Sequence, residues 1–400
     1  MKYMALVGDG MADYPLEELN GKTPLQAAYT PNMDFIAGNG RNGVVRTVPE
    51  GMVPGSDIAN LSIMGYDPRK YYPGRGPLEA ASMGISLDRD EVAFRCNLVT
   101  VKNGVLIDYS AGHISSEEAR TLIEYLDEKL DGNARFYPGV SYRHILVLKG
   151  SEDVTCTPPH DIVERPIEEY LPMGRDAEIL RKLMHNSVQL LEDHEVNVKR
   201  GGESKNPANM IWPWSPGKSP NMPSFEEKFG VRGSVIAAVD LIKGIGKCIG
   251  LKVIDVPGAT GYLDTNYGGK ADYALRSLVD GDFCFVHVEA PDEAGHSGDM
   301  EAKIKAIENF DEKVVGRVLR GLKRYDEYKI MVLPDHPTPI SIRTHTCDEV
   351  PFAIFSPSEA ADDVERFDEF SARRGSLGAI EGRELMELFI KGERLYEKSI

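Results

Sequence analysis

Cysteine is scarce in this chain. The five present among 400 residues (Cys96, Cys156, Cys248, Cys284 and Cys347) are odd in number, scattered and never spaced C-x-x-C. That excludes a disulfide framework and a cysteine zinc site, and it fits a reduced, cytoplasmic setting. Long apolar runs are missing as well: nowhere do 18 apolar residues follow one another, so no membrane span is expected. The opening stretch Met1–Val7 is too short for a signal-peptide core and reads as a first strand. Positive charge is in deficit, with a formal net charge of −17, which argues against a nucleic-acid surface because such a surface needs a basic face. An anionic substrate would need a local cationic pocket. Lys243-Gly244-Ile245-Gly246 lacks the spacing of a nucleotide-cradling loop, and neither internal repeats nor low-complexity tracts occur.

What is present is enough chain for two to three domains. Three apolar runs, Tyr3–Val7, Phe283–Val288 and Ile330–Leu333, each pass directly into a turn and polar residues, as buried parallel strands do. Between the last two lies a helical pattern from Glu301 to Arg324, apolar at Ile304, Ile307, Phe310, Val314, Val318 and Leu322. The expected fold class is α/β, a mostly parallel sheet with helices on both faces. The middle of the chain reads differently. Strands at Val92–Thr100 and Gly104–Tyr109, a helix at Ser116–Leu130, strands at Ala134–Tyr137 and His144–Leu148, and a helix from Asp176 to Glu195 give a ββαββα order. This predicts an α+β module over residues 87–205, inserted into an α/β domain formed by 1–86 and 206–400. Gly201–Pro223, rich in Gly, Pro, Asn, Ser and Lys, reads as a linker or a packed loop carrying Trp212 and Trp214.

Asp9 lies just past the first strand, Asp292 and His296 just past the second, and Asp335-His336 just past the third, with His345 on the loop that follows. Ligands of open α/β sheets bind at that edge. Mixed carboxylate and imidazole donors suit Mn, Zn or Co, and six such groups exceed what one tetrahedral ion takes, so two divalent ions are implied. Ser56, in Gly55-Ser56-Asp57 ahead of an apolar-patterned helix, is the nucleophile candidate, at or near an N-cap where phosphate is welcome. Singly, each feature has a plainer explanation: a capping serine, a turn-forming aspartate, a chance i,i+4 pair. Their coincidence at three strand ends does not. His185, His194 and His287 read as surface or packing histidines.

Gly8-Asp9-Gly10-Met11-Ala12-Asp13, Pro54-Gly55-Ser56-Asp57, Gly65-Tyr66-Asp67-Pro68, Gly74-Arg75-Gly76-Pro77-Leu78-Glu79-Ala80, Pro291-Asp292-Glu293-Ala294-Gly295-His296 and Asp335-His336-Pro337-Thr338-Pro339 occur in that order. In these segments the chain resembles the archaeal-type, cofactor-independent (2,3-bisphosphoglycerate-independent) phosphoglycerate mutases of the alkaline phosphatase superfamily. The resemblance implies an alkaline-phosphatase-like α/β domain with one metal at Asp9, Ser56, Asp335 and His336 and another at Asp292, His296 and His345. Manganese is the first choice, with zinc, cobalt or magnesium as alternatives, and no 2,3-bisphosphoglycerate is required. It also implies a transient phosphoserine at Ser56, a small phosphorylated acid as substrate, and a water-excluding cap formed by the inserted module. For substrate contacts, physical grounds point to Arg75, His113, Arg143, His144, His160 and Asp161, then Arg175, Lys205 and Lys218. Transfer to another small hydroxyl such as homoserine, or hydrolysis as a phosphatase or phosphodiesterase, would use the same metal core. Oligomeric state stays open.

Overall fold

Alternation along the apolar strands decides how the larger part of the chain is layered. In the computed structural model, which describes residues 1–130 and 133–392, Lys2–Gly8, Phe283–Val288 and Tyr328–Leu333 pair in parallel, Lys2–Gly8 in the middle with Val7 opposite both His287 and Leu333. One set of side chains (Met4, Leu6, Cys284, Val286, Ile330, Val332) packs against Ile307, Phe310, Val314 and Val318. The other set turns the opposite way: Tyr3 meets Phe389 of the helix Gly382–Lys391, and Phe283 stacks on Phe225 of the helix Phe225–Phe229. A strand buried on both faces must be apolar throughout, which is why these runs do not alternate with polar residues. Across the sheet the order is Gly378–Glu381, Arg41–Arg46, Val350–Phe355, Tyr328–Leu333, Lys2–Gly8, Phe283–Val288, Gly233–Ile236 and Lys252–Val253. Only Val350–Phe355 runs against its neighbours. This is the mostly parallel sheet expected.

The helix expected over Glu301–Arg324 is interrupted. Met300–Phe310 passes through a π turn, Asp311–Val315, before Gly316–Leu322. The wide turn is used: the Asp311 carboxylate accepts from the Asn32 side chain at 2.7 Å and from the Met33 backbone N–H at 2.7 Å, satisfying donors at the start of the helix Pro31–Asn39.

The chain divides into two compact units, the one just described (Met1–Tyr72 and the chain from Met222 onward) and a second, Pro73–Asn221. The second unit contains Glu91–Lys102 hydrogen-bonded to Arg143–Lys149 on one side and to Val105–Asp108 and Met210–Gly217 on the other, with Ala134–Val140 beyond Arg143–Lys149. Helices Ser116–Lys129 and Ala177–Leu191 bury Leu122, Leu126, Leu180 and Met184 against it. Two features differ from the sequence reading. Trp212 and Trp214 lie in a strand, not a loop, and Pro213 and Pro216 are tolerated because that strand is an edge. The unit also begins earlier and ends later than 87–205, because this strand and the helix Arg75–Ser82 pack on its central strand. Among the described residues no helix is long and apolar enough to cross a membrane, and all five cysteines are free.

Candidate active site

The three central strands of the first unit end together, and each end carries a carboxylate. Asp9 follows Gly8, Asp335 follows Leu333 by two residues, and Asp292 sits in the first turn of the helix Ala290–Ser297, which starts just past Val288. Gly10 holds these ends in contact. Its φ is +58°, a Cβ there would come 2.5 Å from both Asp292 Oδ1 and Thr338 Oγ1, and its N–H donates to Asp335 Oδ1 at 3.0 Å. No residue type other than glycine accommodates both that conformation and that approach.

Ser56 is the first residue of the helix Ser56–Ile63, after the N-cap Gly55, and its side chain does no capping. The plainer explanation of this serine is thereby removed. Its Oγ lies 3.1 Å from His336 Nε2. His336 Nδ1 is 3.2 Å from the Thr338 hydroxyl, which donates in turn to Asp292. A hydroxyl giving its proton to a carboxylate accepts from its other neighbour, so His336 carries its proton on Nδ1 and presents a lone pair on Nε2. That lone pair faces Ser56 and stands 3.4 Å from Asp9 Oδ1, a buried oxygen without a hydrogen-bond partner. Burial first, then the charges of Asp335 and Asp292, push the Asp9 carboxyl well above the ordinary range. Burial also lifts Asp335, but His336 and His287 beside it and the Gly10 N–H pull it below its usual value.

Asp292, His296 and His345 form the second group. His296 Nε2 is 3.2 Å from Asp292 Oδ2, His345 Nε2 is 3.4 Å from Asp292 Oδ1, and the two imidazole nitrogens are 2.9 Å apart. His296 Nδ1 donates to the Arg343 carbonyl at 3.0 Å, which frees Nε2 as a donor to a cation. The donor atoms of Asp292, His296 and His345 lie within 4.8 Å of one another, as do those of Asp9, Asp292 and His336, and those of Asp9, His287 and Asp335. An orphaned carboxylate oxygen, convergent imidazole lone pairs and crowded buried carboxylates suit divalent cations. His287 was read as a packing histidine; it is fully buried, yet against carboxylates.

Two buried lysines, also unforeseen, brace the strand ends. Lys270 bonds Glu289 at 2.5 Å. Lys303 bonds the Asp13 carboxylate at 2.7 Å and the carbonyls of Ala12 and Thr338, tying the loop after the first strand to the loop after Leu333. Asp13 donates its N–H to Glu369, which also accepts from Thr23 Oγ1 at 2.8 Å. Burial pushes the Glu369 carboxyl up to about 7 from its ordinary 4.5. Between those values the folded chain keeps a proton that the unfolded chain has lost, so this group's contribution to stability falls as pH rises from about 4.5 to about 7. Glu369→Gln should remove that slope: the melting temperature of the variant relative to the parent rises between pH 5 and pH 8. A constant difference over that range would refute the assignment.

In the second unit, several substrate candidates meet around aromatic rings. The guanidinium groups of Arg75 and Arg95 lie 5.9 and 4.9 Å from the Trp214 ring, and His160 packs edge-on against it at 5.3 Å. Tyr109 joins His160 to Tyr142, and Tyr142 touches both His113 and Arg143. Arg95 was missed, although an arginine inside the apolar run Val92–Val99 is itself a signal; it is buried and paired with Glu79 at 3.1 Å. His144 is not in this group. It is buried in its strand, accepts from the Gly139 N–H, and burial keeps it neutral by lowering its pKa to about 3. Asp161 pairs with neighbouring His160, Arg175 with Asp153 and Asp176, Lys205 with Glu203, and Lys218 with Glu152.

A serine hydroxyl among carboxylates and imidazoles at the carboxyl edge of a parallel sheet defines the class of metal-assisted phosphoryl-transfer enzymes. Comparison with known proteins narrows it. The family model described as 2,3-bisphosphoglycerate-independent phosphoglycerate mutase matches residues 37–197. A mutase of that name from Methanothrix thermoacetophila is 58% identical over 393 residues, 98% of this chain and 100% of the relative. One from Methanosarcina acetivorans is 56% identical over 396 residues, with 98% and 100% covered. Among solved structures, a Pyrococcus horikoshii protein aligns with TM-score 0.84 and 32% identity over 98% of this chain and 96% of its own. A cofactor-independent phosphoglycerate mutase from Thermoplasma acidophilum gives 0.69 and 30%, over 98% and 99%. The chain belongs to the 2,3-bisphosphoglycerate-independent phosphoglycerate mutase family.

Proposed function

We propose that this chain interconverts 3-phosphoglycerate and 2-phosphoglycerate through a phosphoserine at Ser56, in the cytoplasm and without 2,3-bisphosphoglycerate. The observation that carries the reading is the Ser56 hydroxyl, released from capping and held 3.1 Å from His336 Nε2 beside the unpartnered Asp9 oxygen. Divalent ions, manganese first and zinc, cobalt or magnesium otherwise, held by Asp9, Ser56, Asp335 and His336 and by Asp292, His296 and His345, would acidify the serine hydroxyl and neutralise phosphoryl oxygens. Ser56 Oγ attacks phosphorus as the bond from phosphorus to O3 of the substrate breaks; the serine loses its proton and O3 gains one. After the glycerate turns, its O2 attacks the phosphoserine phosphorus as the bond from phosphorus to Ser56 Oγ breaks; O2 gives up its proton and Ser56 recovers one. The cost of orienting a bound, not released, glycerate is met by its own charges.

For those charges the second unit offers Arg75, Arg95, Arg143, His113 and His160. Arg143→Ala should raise KM for 3-phosphoglycerate about 10- to 100-fold, the worth of a charge-assisted hydrogen bond, with little change in melting temperature because Arg143 is exposed. An unchanged KM would remove Arg143 from substrate binding.

An enolase-coupled assay from 3-phosphoglycerate, run beside phosphate release and homoserine phosphorylation, tests the whole reading. Turnover is expected in the first and none in the others. A flat first assay with either of the others active would replace the mutase by a phosphatase or a small-hydroxyl kinase.

A further inference from the structure

The charges buried behind the donor set give His287 a part in assembling it. Its Nε2 stands 3.4 Å from Asp335 Oδ2, within hydrogen-bond reach, and 3.6 Å from Asp9 Oδ2, a charge contact, so one imidazole faces carboxylates delivered by two different strands; Asn60 Nδ2, which donates to the same Asp335 Oδ2 at 2.7 Å, lies 3.4 Å from that nitrogen. Its Nδ1 stands 3.4 Å from Glu289 Oε1, a charge contact and not a hydrogen bond. Glu289 is fixed in turn: Oε1 accepts from the Ala238 N–H at 2.6 Å, and Oε2 from Lys270 Nζ, which also donates to the His287 carbonyl at 2.8 Å. The side chains of His287, Asp9, Asp335, Glu289 and Lys270 are all buried.

A ring with a carboxylate facing each nitrogen is placed to donate, since a lone pair aimed at a carboxylate is repelled. Two buried carboxylates side by side repel each other too, and a donor between their near oxygens holds them together. We propose that His287, oriented by Glu289 and Lys270, is a positioning residue that clamps Asp9 and Asp335 through their Oδ2 atoms and so aims Asp9 Oδ1 at the cation position beside His336 and Ser56. The role differs from ligation and rests on the reading that Asp9 and Asp335 hold a divalent ion. It uses a buried carboxylate–imidazole relay of the kind that orients metal ligands elsewhere, here acting on carboxylates.

Calorimetric titration of the stripped full-length chain with Mn²⁺ tests it. His287→Ala should weaken the site containing Asp9 and Asp335 about 10- to 100-fold, leave the number of ions bound at saturation unchanged, and recover kcat once Mn²⁺ is saturating. His287→Gln, which can keep an N–H donor near the Nε2 position, should restore most of the affinity. If the alanine variant does not fold, Glu289→Gln keeps the volume, loosens the ring and should weaken Mn²⁺ about 10-fold. Equal affinity in variant and parent would overturn the clamp while leaving the metal reading intact. Loss of one ion at saturation would overturn it in favour of direct ligation. A parent that binds no Mn²⁺ would sink both.

Discussion

Ser56→Ala should stop mutase turnover, with kcat falling on the order of 10⁴-fold or more, and leave the protein folded. The size follows from the chemistry: without the hydroxyl no covalent phosphoenzyme forms, and nothing else described at that helix start, Gly55 and Asp57 included, is a hydroxyl that could replace it. The persistence of the fold follows from the geometry. Ser56 is one residue inside its helix and caps nothing, so its loss should cost no more than about 0.5 kcal/mol. Two measurements separate the effects. Acid quenching of the parent with labelled 3-phosphoglycerate should leave label on the protein, and the variant should carry none. Thermal unfolding of the two at matched metal should nearly coincide. Label retained by Ser56→Ala, or turnover within ten-fold of the parent, would move the nucleophile elsewhere.

The difference between what could and could not be read from the sequence lies in where each residue's burial is decided. The placement of Asp9, Asp292 and Asp335 at one sheet edge was legible because a doubly covered strand is a local apolar run, and the residues just after such a run lie at the sheet edge whatever the strand order. The strand Met210–Gly217 was not legible. Pro213, Pro216 and Gly217 give it the composition of a loop, and only the neighbour Glu91–Lys102 makes it a strand. The buried charges Lys270, Lys303, Glu289 and Arg95 were hidden for the same reason: each is charged in the sequence and interior in the structure, because its partner comes from a distant segment. His287 shows the limit most sharply. An imidazole inside an apolar strand reads as packing, and its partners Asp9 and Asp335 lie 278 and 48 positions away in the chain. The π turn at Asp311–Val315 left no mark either, since Phe310, Val314 and Val318 keep helical spacing through it.

Stripping divalent ions with a chelator should abolish turnover completely and lower the melting temperature, and both should return on adding Mn²⁺. An ion that binds only the folded chain stabilises it by about 2.7 kcal/mol when present at a hundred times its dissociation constant, and removal forfeits that sum. Reloading should also release protons, with a sign fixed by the second donor group. In the stripped protein the hydrogen bond that His296 donates to the Asp292 carboxylate raises His296 to about 9, while burial, which would raise Asp292, is outweighed by His296 and His345, so Asp292 stays well below its ordinary range. At neutral pH His296 therefore holds a proton that a cation must displace before Nε2 can bind it. Apparent affinity at this site should rise with pH toward about 9 and level off above it. Calorimetric reloading at pH 7 in two buffers of different ionisation enthalpy should give different heats, the gap reporting the protons released. Identical heats would mean that His296 is already neutral in the stripped protein. Activity surviving exhaustive chelation would take the metals out of the mechanism altogether.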